Sequence, residues 1–288
     1  MRPRPGFSLV ELLVVAVLAG IVLAAAYQTL VVQERVQRQE RAVIRTQESA
    51  RIAMAVISAE LRETSASGGD LVMADRDSIR FRALRRVGLI CGFNNSERWA
   101  DVVALGTDGP HSSGFAAEDS ILIFHDGDAA RATDDTWGAT RVNTNPGSGA
   151  TCPFWPGAPT SRLKVDALNT AARVGAPIRS FTHVRYRLAP RPNGEYALVR
   201  REGNDGVERE LLGGMAPPTD GGLRFRYFDA DGNELTATPL NQAARENVAL
   251  VDIVVRARTT RETSGVDTYT DSLVTRIALR GNAPVVAP

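Results

Sequence analysis

Glu11 is the residue whose chemistry most needs explaining: a carboxylate at the edge of the apolar run in MRPRPGFSLVELLVVAVLAGIVLAAAY. Carrying a charge toward hydrocarbon costs about 3 kcal/mol at a helix centre, so Glu11 calls for a cationic partner. Cys91 and Cys152 are the two cysteines, and they stand too far apart for a CxxC redox or zinc pair. In an oxidising compartment they would form one structural disulfide, closing a loop of about 60 residues and stabilising by about 4 kcal/mol in chain-entropy terms. In a reducing one they would be two buried thiols.

Other reactive constellations are sparse. His111, His125 and His183 are far apart, and no G-x-S-x-G, H-E-x-x-H or Gly-rich phosphate loop occurs. His125 with Asp126 and Asp128 has the composition of a metal or acid–base cluster, but the same letters mark a strand end entering a polar loop. Asp229, Asp231 and Glu234 in DADGNE alternate as ligands of a hard cation do. Gly232 comes two positions early for an EF-hand loop and no Glu closes it, which makes a hairpin turn the better reading. Arg224, Phe225, Arg226 and Tyr227 would suit a single-stranded DNA surface, and equally a strand with arginines to solvent and aromatics to a core. A net charge of +1 gives no electrostatic reason to expect nucleic acid. Lys164 is the only lysine, so the basic residues are otherwise arginines.

These residues need elements to position them. From Leu12 to Val32 no residue is charged, and a helix of that length is about 30 Å long, the thickness of a bilayer core. Arg2 and Arg4 precede it without an acid among the first six residues, which predicts a cytoplasmic N-terminus and an exported remainder. A secretory signal peptide ending at Ala24, Ala25 and Ala26 would instead release a soluble product starting near Tyr27. Against that, Glu11 interrupts the passage from basic to apolar region, and the helical pattern does not stop at the alanines. No proline occurs between Gly6 and Pro110, and strong helix formers run on to Ser67, Gly68 and Gly69. Val36, Val43, Ala50, Met54, Ile57 and Leu61 form one apolar stripe, opposite Glu34, Arg38, Arg41, Arg45, Glu48 and Arg51. The stripe predicts a helix laid on its own domain's sheet, with a coiled-coil dimer as the alternative.

Gly6, Phe7, Ser8, Leu9, Val10 and Glu11, with a short basic leader before them and an apolar helix after, resemble the signature of type IV prepilins and type II secretion pseudopilins. The resemblance implies cleavage after Gly6 by prepilin peptidase, N-methylation of Phe7, and a Glu11 that pairs with the N-terminal ammonium of a neighbouring subunit. An ion pair in low dielectric is costly to break, because removing one member strands the other. Many major pilins carry a proline inside the membrane helix; here Gly20 is the only breaker. SARIAMAVISAELRE, VRYRLAP, YALVRRE, LRFRYFDADG and VTRIALRGN are similar to the PilW-like minor pilins and J-type minor pseudopilins, with Glu60 where Asp is usual.

After Gly69 the pattern changes to short alternating runs: DSIRFRA, SILIFHD, HVRYRLA, EYALVRRE, LRFRYFD, NVALVDIVVRART and YTDSLVTRIALR. HVRYRLAPRPNGEYALVRRE reads as a hairpin around Pro192, Asn193 and Gly194, and LRFRYFDADGNEL turns at Asp231 and Gly232. Residues 87–160 are rich in Gly, Asn, Asp, Ser and Pro, with SILIFHD as the only clear strand, bracketed by the two cysteines.

The expectation is an α+β, pilin-like fold with a leader over 1–6, a transmembrane or filament-core helix over 7–32, its amphipathic continuation over 33–66, and an exported β-rich domain over 67–288 with a loop-rich insertion about 87–160. The chain is read as a minor pilin or pseudopilin in the inner membrane with a periplasmic domain, then in a pilus or pseudopilus. Its partners would be prepilin peptidase, other pilins, the assembly platform and membrane lipid. No catalysis, cofactor, metal or nucleic acid is expected. A tip adhesin or DNA-uptake module, and a signal-anchored exported enzyme, are the alternative readings.

Overall fold

The computed structural model describes residues 9–105, 114–128, 135–144, 146–168, 172–192, 194–203, 206–259 and 269–280. One helix, α1 (Leu9–Arg62), takes up the N-terminal fifth of the chain. It has no proline, and its single glycine, Gly20, faces open space, so nothing interrupts the hydrogen-bond ladder for 54 residues. The chain then reverses through Ser65–Gly69: Gly69, at φ +73°, donates to the Ala66 carbonyl, and the Asp70 carboxylate accepts from the Ser65 N–H at 3.0 Å.

The helix has two environments. Its apolar N-terminal part is exposed, while Ala42, Thr46, Ala50, Ala53, Ile57, Ser58 and Leu61 are buried. The expected stripe is therefore corrected in part. Ala50, Ile57 and Leu61 are in the core, Val43 and Met54 are half-buried, and Val36 is exposed. The sheet begins to cover the helix only at Ala42, and close approach of a helix to a sheet selects small side chains there, which hydropathy alone undervalues. Glu34, Arg38, Arg41, Arg45, Glu48 and Arg51 all face solvent, as expected.

The remainder is an antiparallel sheet. Its strands are β1 (Leu71–Ala74), β2 (Ser78–Asn94), β3 (Trp99–Leu105), β4 (Ser120–His125), β5 (Thr136–Arg141), β6 (Gly147–Ser148), β7 (Thr160–Lys164), β8 (Pro177–Pro190), β9 (Tyr196–Glu202), β10 (Glu208–Met215), β11 (Leu223–Phe228), β12 (Leu250–Arg258) and β13 (Thr270–Ala278). A short helix, α2 (Gln242–Glu246), starts where Asn241 accepts from the Ala244 N–H. The main path runs β11-β12-β10-β9-β8-β2-β3-β7-β6. The long strands β2 and β8 are its spine, paired from Ser78↔Arg187 to Leu89↔Pro177. On its other edge, β8 pairs with β9 over one half and with β4 over the other, and this fork divides the sheet into two lobes.

Each lobe has its own core. In the first, α1 lays Ala50, Ala53, Ile57 and Leu61 among Phe81, Tyr186, Phe225, Tyr227, Ile253 and Ile277. Burying Ile57 and Leu61 stabilises by about 2 to 3 kcal/mol each. The second core gathers Ile90, Val102, Ile121, Ile123, Leu163 and Ile178, and no described helix contributes to it.

The stretch 87–160 thus holds more than the single strand SILIFHD. It includes the far half of β2 and β3, β5 and β6 as well. The burial pattern of β3 is nearly continuous and β5 has no buried residue, so neither shows the alternation of a half-buried strand. Register shifts at Leu84/Arg86 and Ile90/Gly92 break the alternation within β2. The hairpin around residues 191–195 joins β8 to β9, with the Arg191 N–H donating to Glu195; Asn193 lies outside the described residues. After β11 the chain turns at Asp231 and Gly232, but only a single bridge, Phe228↔Glu234, follows in place of a second strand.

Candidate functional site

Gly6 and Phe7 lie outside the described residues, so their surroundings are not part of this geometry. Glu11 is the acidic residue of the first turn of α1. It sits on a segment long and apolar enough to cross a membrane, with mean hydropathy 2.8 in its best window and none of that window buried in the fold. Leu12, Leu13, Val14, Val15, Ile21, Val22 and Leu23 are all exposed. An exposed apolar surface of this size requires lipid or other protein as its surroundings.

At the other end, α1 is latched to the sheet by a polar cluster beside the core. Glu60 accepts from the Tyr186 hydroxyl at 2.6 Å and from Arg200 Nη2 at 2.8 Å, with Arg85 at 3.7 Å. Glu202 closes the cluster, accepting from Arg200 at 2.6 Å and Arg85 at 2.7 Å. Burial, and then the Glu60 carboxylate, pushes the Tyr186 phenol well above its ordinary range, so it remains a donor. Burial opposes the Arg200 charge, yet the hydrogen bonds to Glu60 and Glu202 hold its pKa above the usual value. For Glu202 burial acts upward, and the two arginines overcome it and lower the pKa. The arrangement ties the C-terminal end of α1 to the sheet, because one helical residue holds a side chain of β8 and a side chain of β9 together.

A second tie follows the helix. Asp70 pairs with Arg179 at 3.1 Å while also holding the Ser65 N–H, and the Arg179 guanidinium lies 4.3 Å from the Trp137 ring centre. Burial raises the Asp70 pKa against the pull of Arg179.

The remaining candidates do not converge. His125 is buried in β4 with its ring against Gly138, and Asp126 turns to Arg173 at 3.7 Å. His183 lies on β8 beside the Phe181 ring, and His111 is outside the described residues. Asp229 spends its carboxylate on the turn, accepting from the Asp231 and Asn233 N–H groups at 3.0 and 2.8 Å, while Glu234 pairs with Arg226. Phe225 and Tyr227 are buried and Arg224 and Arg226 point outward, the alternation of a half-buried strand. Cys91 and Cys152 are joined in a disulfide 61 residues apart, with Cα atoms 4.7 Å from each other.

Sequence reasoning noticed Glu60 only as a departure from a family pattern. Its partners stand more than 120 residues away, at positions 186 and 200, and no local periodicity connects them.

Residues 1–27 match the family described as "Prokaryotic N-terminal methylation motif". The match covers the leader, Gly6, Phe7, Glu11 and most of the apolar run. No curated protein and no solved structure matches the chain.

Proposed function

We propose that this chain is a minor pilin or minor pseudopilin, cut between Gly6 and Phe7 and methylated at Phe7 by prepilin peptidase. The observation that carries the reading is the methylation motif over residues 1–27 at the head of a 54-residue helix whose apolar part finds no cover in its own domain. In the membrane that part is solvated by lipid; in a filament it is solvated by the same segment of neighbouring subunits. Glu11 gives the transfer its direction. A carboxylate at the edge of hydrocarbon is stabilised by an ammonium at close range, and cleavage creates such an ammonium on Phe7 of the next subunit.

The exported domain supplies lateral contacts in a tip or priming complex of a type IV pilus or a type II secretion pseudopilus, and its role is structural. The latch at Glu60 suits that role, since a subunit that starts a filament has to hold its domain at a set angle to the helix. Phe154 and Trp155, 46% and 50% exposed on the turn after Cys152, favour an added contact role for this part of the domain. Replacing both with serine should weaken tip contacts without changing melting temperature.

The direct test is intact mass and N-terminal sequencing of the protein purified from membranes. The expected species begins at N-methylated Phe7. A chain beginning near Tyr27, or an uncut one beginning at Met1 in a peptidase-positive host, refutes the proposal. Deleting the gene should lower surface pili or secretion, and unchanged filament number and export would count against the assembly role.

A further inference from the structure

Where α1 first meets the sheet, at Ala42, the helix and the ends of β10 and β12 enclose an open cavity of about 330 Å³. Arg38, Arg41 and Arg45 line it from the helix and Arg258 from the sheet. The three exposed helical arginines stand at steps of three and four at the rim of the cavity, beside Ala42 and Thr46, whose small buried side chains let the sheet approach. Among the described residues, Glu195 is the only carboxylate in the lining, and Arg191 already holds it at 3.3 Å. Arg258 reaches Asp220 at 3.3 Å. None of Arg38, Arg41 and Arg45 is ion-paired with a described residue. Like charges this close on one helix oppose each other, and no described carboxylate pairs with the three helical arginines to offset that repulsion.

We propose that this cavity takes the phosphate of an anionic phospholipid headgroup, of the phosphatidylglycerol kind, at the surface of the membrane that α1 crosses. The inference rests on reading α1 as that membrane span. Position supports it. Arg38 lies six residues beyond Val32, the end of the uncharged stretch, which is about 9 Å along the axis. Helical side chains lean toward the N-terminus, here back toward the bilayer. A reach of about one turn, about 5 Å, brings the Arg38 guanidinium within an interfacial layer about 5 to 8 Å thick and the Arg41 guanidinium to its outer edge. Arg45 and Arg258 close the cavity above them. Forked guanidinium donors match phosphate oxygens, and three helical arginines without an ion-pair partner among the described residues repel the ammonium of a zwitterionic headgroup. A bound headgroup would also fix the height of the domain over the membrane.

The test uses the full chain, extracted in mild detergent from membranes containing phosphatidylglycerol and phosphatidylethanolamine, with retained lipid counted by native mass spectrometry. Wild type should keep phosphatidylglycerol in preference. The triple variant Arg38→Gln, Arg41→Gln, Arg45→Gln should lose it by about tenfold in occupancy. A control with three charges removed elsewhere, Arg51→Gln, Arg62→Gln, Arg80→Gln, should keep it. Equal retention of both lipids, or equal loss in the control, overturns the proposal. Full displacement by inorganic phosphate would make the cavity a free-anion site and overturn the lipid assignment. Release of wild type from membranes by alkaline carbonate would instead overturn the membrane-span reading, so the two failures are distinguishable.

Discussion

Glu60→Ala offers the sharpest test of how the helix is held. The substitution removes the acceptor of the Tyr186 hydroxyl and one of the two carboxylates on Arg200, at 2.6 and 2.8 Å. The side chains of Glu60 and Arg200 are 21% and 17% exposed, so the cluster is shielded but not sealed. A hydrogen bond to a charged group contributes about 1.5 to 3 kcal/mol, and full rupture of a buried pair costs about 3 to 5 kcal/mol. Glu202 remains at 2.6 Å to hold Arg200, which keeps the loss below that upper range. The net expectation is about 2 to 3 kcal/mol, or about 5 to 10 °C in melting temperature for a domain of this size. Glu60→Gln keeps a carbonyl acceptor for Tyr186 and should cost about half as much. Thermal melts of the full chain in detergent, followed by near-ultraviolet circular dichroism, provide the measurement. In the double variant with Arg200→Met the two losses should fall short of additive, because they share one contact. A Glu60→Ala protein that melts within about 1 °C of wild type refutes the latch.

Three further outcomes follow from the same geometry. Replacing Cys91 and Cys152 with serine should cost about 4 kcal/mol by releasing a long loop in the unfolded chain, read as a lower urea midpoint; an unchanged midpoint contradicts it. His125 and His183 are both held below their ordinary pKa of 6.5, His125 by burial and His183 by burial and then Arg80 and Arg82. The unfolded chain therefore binds more protons, and stability present above pH 6.5 is lost as pH falls through the folded values. Melting temperature should decline from pH 7 toward pH 5, with a shallower slope in His183→Gln, and a flat wild-type profile would sink the argument. In Gly222→Ala the new Cβ would lie 1.8 Å from the Ala216 carbonyl oxygen, which is backbone and cannot swing away; a loss of about 3 kcal/mol or more is expected, and a wild-type melt would show that the turn before β11 gives freely.

Much of the fold was legible in the sequence where a signal is local. The absence of proline from Gly6 to Pro110 and the change from helical to alternating pattern at Gly69 mark the helix and the start of the sheet. HVRYRLA and EYALVRRE pair as their turn residues suggest. The misses have physical causes. Val36 has the hydropathy of a core residue but projects beyond the edge of the sheet. The strands β3 and β5 do not alternate, since one is buried on both faces and the other has no buried residue on either. The turn at Asp229 resembles the start of a cation loop, yet its carboxylate is taken up by the backbone it organises.

The sequence by itself determined the membrane-competent helix, the motif at its head and the position of Glu11 within it, because hydropathy, charge and cleavage signals belong to neighbouring residues. Only the tertiary structure decided that Glu60 meets Tyr186 and Arg200, that Asp70 meets Arg179, and that three helical arginines face Arg258 across a cavity. Those meetings depend on how β2 and β8 bring distant segments together around α1, and side chains separated by more than a hundred residues leave no periodic trace of one another along the chain.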